Sequence, residues 1–237
     1  MKIEVLYAKA CNLYGDQGNV QILKKTLIDA TFFETDLNET PKFVSTKVDL
    51  VIMGAMSEAM QIKVIERLLP YKNRLIEMID AGVHFIVTGN ALDIFGETII
   101  KEDKTEVKGL GLFPFSTKED LMHRHNSLVL GRYNNMEIVG FKTQFAQMYP
   151  RTTMPYFLSM ERGTGYHVGA KFEGIQRNRF YGTNCVGPLL VLNPFFTLAI
   201  LKELGIKHPQ LPYETALIAA YHKRISEFRD PKIINHP

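Results

Sequence analysis

The stretch with the spacing of a catalytic device is His84-Phe85-Ile86-Val87-Thr88-Gly89-Asn90-Ala91-Leu92-Asp93-Ile94-Phe95-Gly96. A short apolar run passes through a Gly-Asn turn into an amphipathic helical pattern, the form of a nucleophile elbow. There a strained strand-to-helix turn holds one reactive side chain at the top of a sheet, beside free helix-start N–H groups. The pivot of this turn is Gly89, so the reactive group expected at the junction is absent. Thr88 is a poor substitute, because strand alternation points its hydroxyl away from the direction of Gly89. Cys11 and Cys185 read as small core residues, with no neighbouring base in sequence to lower a thiol pKa.

Other polar residues have plain structural readings. Asp16 and Asn19 precede a helix and suit caps. His84 closes the end of a strand. His123 and His125 sit on an exposed edge with no third ligand in view, so no metal and no cofactor are expected. Asn90 begins the elbow helix, where capping and the holding of a carboxylate or amide ligand fit equally well.

These residues need a scaffold, and the first hundred positions supply one. Strand patterns at Ile3–Ala8, Asp49–Gly54 and His84–Gly89 alternate with helical patterns at Asn19–Ala30 and Glu58–Asp80, the latter broken at Pro70. The expected fold is a three-layer α/β domain, a mixed and mainly parallel sheet between helices. Beyond Ile99 the pattern changes to short extended pieces, expected to add antiparallel strands to one sheet edge. Asn193-Pro194 opens a helix as cap and first residue, and Gly205 ends it. A last helix, about Tyr213–Phe228, carries Leu217, Ala220, Tyr221, Ile225 and Phe228 on one face. Residues 1–228 are expected to form one domain, with 229–237 a loose tail.

Composition narrows the function. Lysine plus arginine at 28 against aspartate plus glutamate at 25 gives a net charge of +3, with no basic runs, which argues against nucleic acid. Two cysteines make no disulfide framework. No signal-peptide core and no apolar run of about 20 residues is present, so a cytoplasmic chain without a membrane span is expected.

Several segments, in order, resemble class I glutamine amidotransferases of the CobB/CobQ type, and among them the GatD-like members. Asn12-Leu13-Tyr14-Gly15-Asp16-Gln17-Gly18-Asn19 is similar to N-L-Y-G-D-x-G-N. Asp49-Leu50-Val51-Ile52-Met53-Gly54 looks like the strand before the family's glycine-rich loop, and Gly109 to Thr117 resembles G-L-G-L-L-D-x-x-T. Val139 to Gln144 matches the start of G-F-E-x-H. Phe180 to Thr183, Gly187 to Leu190 and Asn193-Pro194 follow G-T-Y-L-H-G-P-L-L-x-x-N-P.

The resemblance implies a glutaminase with a cysteine at the elbow and a histidine in Y-L-H-G-P. The matching positions here are Gly89 and Val186. Gln144 stands where the family has the histidine of G-F-E-x-H, Lys142 replaces its glutamate, and Gly54-Ala55-Met56-Ser57-Glu58 replaces G-G-G-Q-D. No catalytic residue is therefore assigned. The expectation is a glutaminase-dead binding or regulatory subunit, with a Mur-ligase-like or other synthase chain as partner in amidation of a peptidoglycan precursor. An active enzyme with relocated chemistry and a non-catalytic sensor of a glutamine-like amino acid or amide are the alternatives. In either case the candidate pocket, expected to stay concave, is rimmed by Gly54, Ala55, Ser57, Gly89, Asn90 and Gln144.

Overall fold

The computed structural model describes residues 1–233. The first half runs β1 (Lys2–Leu6), α1 (Gln17–Thr26), β2 (Thr31–Thr35), β3 (Leu50–Met53), α2 (Glu58–Leu68), α3 (Lys72–Asp80) and β4 (His84–Thr88). The second half runs β5 (Thr98–Ile100), β6 (Glu106–Lys108), β7 (Phe115–Glu119), β8 (His125–Tyr133), β9 (Met136–Gln144), β10 (Ala146–Pro150), β11 (Leu158–Arg162) and β12 (Phe172–Glu173). It closes with β13 (Ile175–Arg177), β14 (Phe180–Thr183), α4 (Leu189–Leu192), α5 (Pro194–Glu203) and α6 (Glu214–Arg229).

The main sheet has the order β13-β14-β4-β3-β1-β2. Every neighbour pair from β14 to β2 is parallel, and β13 alone is antiparallel, on the edge. Every residue of β3, β4 and β14 is buried, as a parallel strand covered on both faces requires. Alternation divides their side chains between two cores. Val51, Met53, Phe85 and Val87 pack with Val64, Leu68, Leu75 and Met78 of α2 and α3 on one face. Leu50, Ile52 and Ile86 pack with Val20, Leu23, Phe196 and Ile200 of α1 and α5 on the other. Pro70 lies in a 3-10 turn, Leu69–Tyr71, that separates α2 from α3.

The strands after Ile99 do not simply extend one edge. They form two further four-stranded sheets, β10-β7-β5-β6 and β12-β11-β8-β9, and only β13 and β14 join the main one. The reason lies in β8 and β9: as a hairpin of two nine-residue strands they pair with each other throughout, and their second face is covered by α6 through Leu130, Val139, Tyr221, Ile225 and Phe228. That uses only part of the expected apolar face of α6, since Leu217 is half-buried and Ala220 exposed.

The elbow helix is also corrected. After β4 the chain makes two 3-10 turns, Gly89–Ala91 and Asp93–Phe95. All residues from Ala91 to Gly96 are buried, so the segment has no solvent face. The carbonyls of Ile94, Phe95 and Gly96 accept backbone N–H groups from Leu110, Leu112 and Gly111, and the Gly109 to Thr117 segment thus takes the acceptors a continuing α-helix would have used.

Three presumed caps act elsewhere. Asp16 makes no side-chain cap; its Oδ2 accepts the Ala55 N–H at 2.6 Å. Asn19 Oδ1 accepts the Leu190 N–H at 2.8 Å. Asn193 binds both backbone groups of Val139, joining α5 to β9, while Pro194 opens α5 as expected. Gly205, at φ +94°, ends α5 with Gly205 N–H to Lys202 and Ile206 N–H to Leu201, a complete Schellman pair. The tail to Ile233 is fastened, since the Arg162 guanidinium donates to the carbonyls of Phe228, Asp230 and Ile233. The rest of the expected tail, residues 234–237, lies outside the described residues. No helix among the described residues is long and apolar enough to cross a membrane.

Candidate functional site

The site lies at the carboxyl ends of β3, β4 and β14, where loops from an open α/β sheet converge. Gly89 sits at φ +62°, the left-handed geometry of an elbow pivot, which glycine adopts at little cost. Its N–H donates to the Cys185 carbonyl at 3.0 Å. A β-carbon built on Gly89 would meet Ala55 Cβ at 2.6 Å and Val186 Cγ1 at 3.1 Å. The two positions that the resemblance aligns with the family's cysteine and histidine are therefore neighbours in space, with Ala55 packed beside them. Val186 is held there by its N–H to the Phe141 carbonyl at 2.7 Å, a bridge to β9.

A cavity opens beside this junction, walled in part by Asn90, Gln144, Asp93 and Val186. Of the residues expected to rim it, Asn90 and Gln144 do. Gly89 and Ala55 lie behind the wall, Gly54 packs against Asp16, and Ser57 is exposed at the start of α2. The Asn90 amide does not cap a helix. Its Oδ1 accepts the Met56 N–H at 2.9 Å and its Nδ2 donates to the Met56 carbonyl at 2.7 Å, a two-point clamp on the loop after β3.

Sequence reasoning passed over Asp93, which is 3% exposed. Asn184 Nδ2 donates to Asp93 Oδ1 at 3.1 Å and Gln61 Nε2 approaches Oδ2 at 3.5 Å. Burial pushes the Asp93 carboxyl up to about 7. Asn184 is in turn fixed from behind. Its N–H donates to Glu173, whose carboxylate also takes the Thr183 hydroxyl and lies 3.4 Å from the Lys142 ammonium. Lys142 and Glu173 are 2% and 0% exposed, a fully buried ion pair where the resemblance has a glutamate. The only sequence signal for Asp93 was an acidic residue in an otherwise apolar run.

The remaining candidates lie apart from the cavity. Thr88 faces the other way, as strand alternation requires, into a second small cavity shared with Asp16 and Cys11. Its hydroxyl eases the burial of the Asp16 carboxyl, which is still raised to about 6, without a well-formed hydrogen bond. Burial pushes both thiols, Cys11 and Cys185, up to about 12. His84 pairs with Glu203 at the opposite end of the sheet, at 3.3 Å. His123 contacts the Asp120 carboxylate and His125 the Gln147 amide.

Comparison with known proteins agrees with this architecture. The profile of the CobB/CobQ-like glutamine amidotransferase domain matches residues 2–190. The GatD subunit of lipid II isoglutaminyl synthase (glutamine-hydrolyzing) from Staphylococcus aureus (strain N315) is 28% identical over 207 residues, 86% of this chain and 83% of that protein. Among solved structures, one glutamine amidotransferase superposes with a TM-score of 0.55 at 12% identity, over 86% of this chain and 99% of its own. Another, from Thermotoga maritima, does so with a TM-score of 0.50 at 12% identity, over 97% and 92%. At such identities the structural likeness concerns the fold alone.

Proposed function

Because this chain belongs to the CobB/CobQ-like glutamine amidotransferase family, we propose that it is a member that keeps the scaffold without hydrolysing glutamine, and that it serves as a binding or regulatory subunit. In this reading residues 1–228 work as one amidotransferase-like domain. The observation that carries it is that a β-carbon at Gly89 would stand 3.1 Å from Val186 Cγ1. By the resemblance these positions hold a nucleophile and its base. Covalent amide hydrolysis needs both, and a hydrogen atom and an isopropyl group supply neither. Relocated chemistry on Cys11 or Cys185 is disfavoured, since thiols raised to about 12 carry almost no thiolate at neutral pH.

The similar GatD protein is named as a subunit of a synthase. We take the partner here to be a Mur-ligase-like synthase chain that amidates a peptidoglycan precursor. Co-expression with such a chain tests this. The two should co-elute, and the complex should form amide from added ammonium chloride but not from glutamine. Amidation supported by glutamine, or no complex at all, contradicts the reading.

A further inference from the structure

The cavity beside Gly89 has a chemistry unlike that of a glutamine pocket. Its volume is about 20 Å³, space for one water-sized group. Three carboxylates, Asp93, Glu58 and Glu119, stand on its wall, and no lysine, arginine or histidine among the described residues lines it. Glu119 is neutralised from outside by Lys101 at 2.5 Å. Among the described residues the Asp93 carboxylate is met only by the neutral amides of Asn184 and Gln61, and Lys142 is already engaged with Glu173 and the Gly165 carbonyl.

A second observation is independent of charge. Gln144, only 8% exposed, lines the cavity with neither its amide oxygen nor its amide nitrogen hydrogen-bonded. An unpaired buried amide oxygen carries a desolvation penalty, so an occupant that donates a hydrogen bond to it is favoured. The occupant must be one heavy atom in size, must donate hydrogen bonds to Asp93 and the Gln144 oxygen, and is favoured if positively charged. An amino-acid carboxylate is repelled by this wall and does not fit the space. Water fits, but brings no counter-charge to the Asp93 carboxylate once that group ionises above its raised value of about 7.

We propose that this cavity is a binding site for a single ammonium ion, held by the Asp93 carboxylate and the Gln144 amide oxygen. The proposal rests on the reading above, in which nitrogen enters as free ammonium and is not released from glutamine at this site. Ammonium donates directed hydrogen bonds to separate acceptors, whereas potassium requires a fuller shell of oxygens than the Asp93 carboxylate and the Gln144 amide oxygen supply.

The test is a thermal-shift titration of the full chain without glutamine, comparing ammonium, potassium, sodium and methylammonium chlorides at equal ionic strength. A saturable rise in Tm is expected with ammonium alone, weakened at least tenfold in apparent affinity by Gln144→Leu and by Asp93→Asn. A bound 15N-ammonium resonance on the unmodified protein gives the same answer should either variant fail to fold. No ammonium-specific shift and no bound resonance, an equal response to potassium, an equal response to methylammonium, or full ammonium affinity in both variants each overturns the proposal. Because glutamine is absent, none of these results bears on glutaminase activity, and turnover of glutamine leaves this titration unchanged.

Discussion

Ala55 Cβ lies 2.6 Å from the point where a β-carbon on Gly89 would stand. The resemblance has a glycine at the position of Ala55 and a cysteine at that of Gly89, so between the loop after β3 and the elbow the β-carbon has changed sides. The backbone of the pivot, at φ +62°, is unaltered in kind. The volume that a side chain at Gly89 would need is filled.

Gly89→Cys should therefore destabilise the protein by about 1–3 kcal/mol, from left-handed strain together with the clash against Ala55. Ala55→Gly in the same chain should recover part of that loss, although alone it is destabilising. Urea denaturation of the four-member cycle measures the coupling. Independent, additive effects would show that the two positions do not share this space. Gly89→Cys with Val186→His should show weak glutamine turnover at most, since the Ala55-Met56-Ser57 loop still departs from the family pattern of oxyanion donors.

The pair Lys142–Glu173 supports the site from behind. Lys142→Met leaves the Glu173 carboxylate buried without its cation and should cost about 3–5 kcal/mol. Lys142→Met with Glu173→Gln should be less destabilised than Lys142→Met alone, because the charge is then gone. Thermal melts decide it, and equal losses in both variants would mean that the pair's charge is unimportant.

Asp93 predicts the pH dependence. Its carboxyl is raised by burial to about 7, opposed by the Asn184 and Gln61 amides and by Lys142, while Glu119 adds to the rise. Between the unfolded value of about 4 and this folded value, the native chain holds the extra proton, so stability falls as pH rises through that window and levels off above it. Asp16, raised to about 6 by burial, acts in the same direction. The decline is on the order of a few kcal/mol. Asp120, Glu161 and Glu203, held low by His123, Arg229 and His84, exert their opposite effect at lower pH. Denaturation midpoints between pH 5 and pH 8 should drop for the parent protein and drop less for Asp93→Asn. Equal slopes would place the titration elsewhere.

Both thiols should be inert in the folded protein. Cys11 and Cys185 are 4% and 1% exposed. Alkylation at neutral pH should modify neither until denaturant is added, with both sites read by mass spectrometry. Rapid labelling of either one would revive it as a relocated nucleophile.

The central sheet was legible because β3 and β4 are continuous apolar runs and because Pro70 and Gly205 punctuate helices by fixed local geometry. The outer sheets were not, since β8 and β9 choose each other and α6 through contacts distant in sequence. The site divides in the same way. Gly89 and Val186 could be singled out from motif order alone, and the fold brings them together. Asp93, Asn184 and Glu173 escaped notice because their importance comes from complete burial and from a hydrogen-bond chain across β14, β12 and the elbow. Asp16, Asn19 and Asn90 were readable as polar residues at turns, but local propensity favours caps, and tertiary partners at Ala55, Leu190 and Met56 claim their side chains instead.

The most direct measurement of the central claim is ammonia release from glutamine by the purified chain, alongside its Cys11→Ala/Cys185→Ala variant. The site as built, with Gly89 against Ala55 and Val186, predicts background rates for both proteins. Turnover that co-purifies with the parent chain and vanishes in the double-cysteine variant would contradict it.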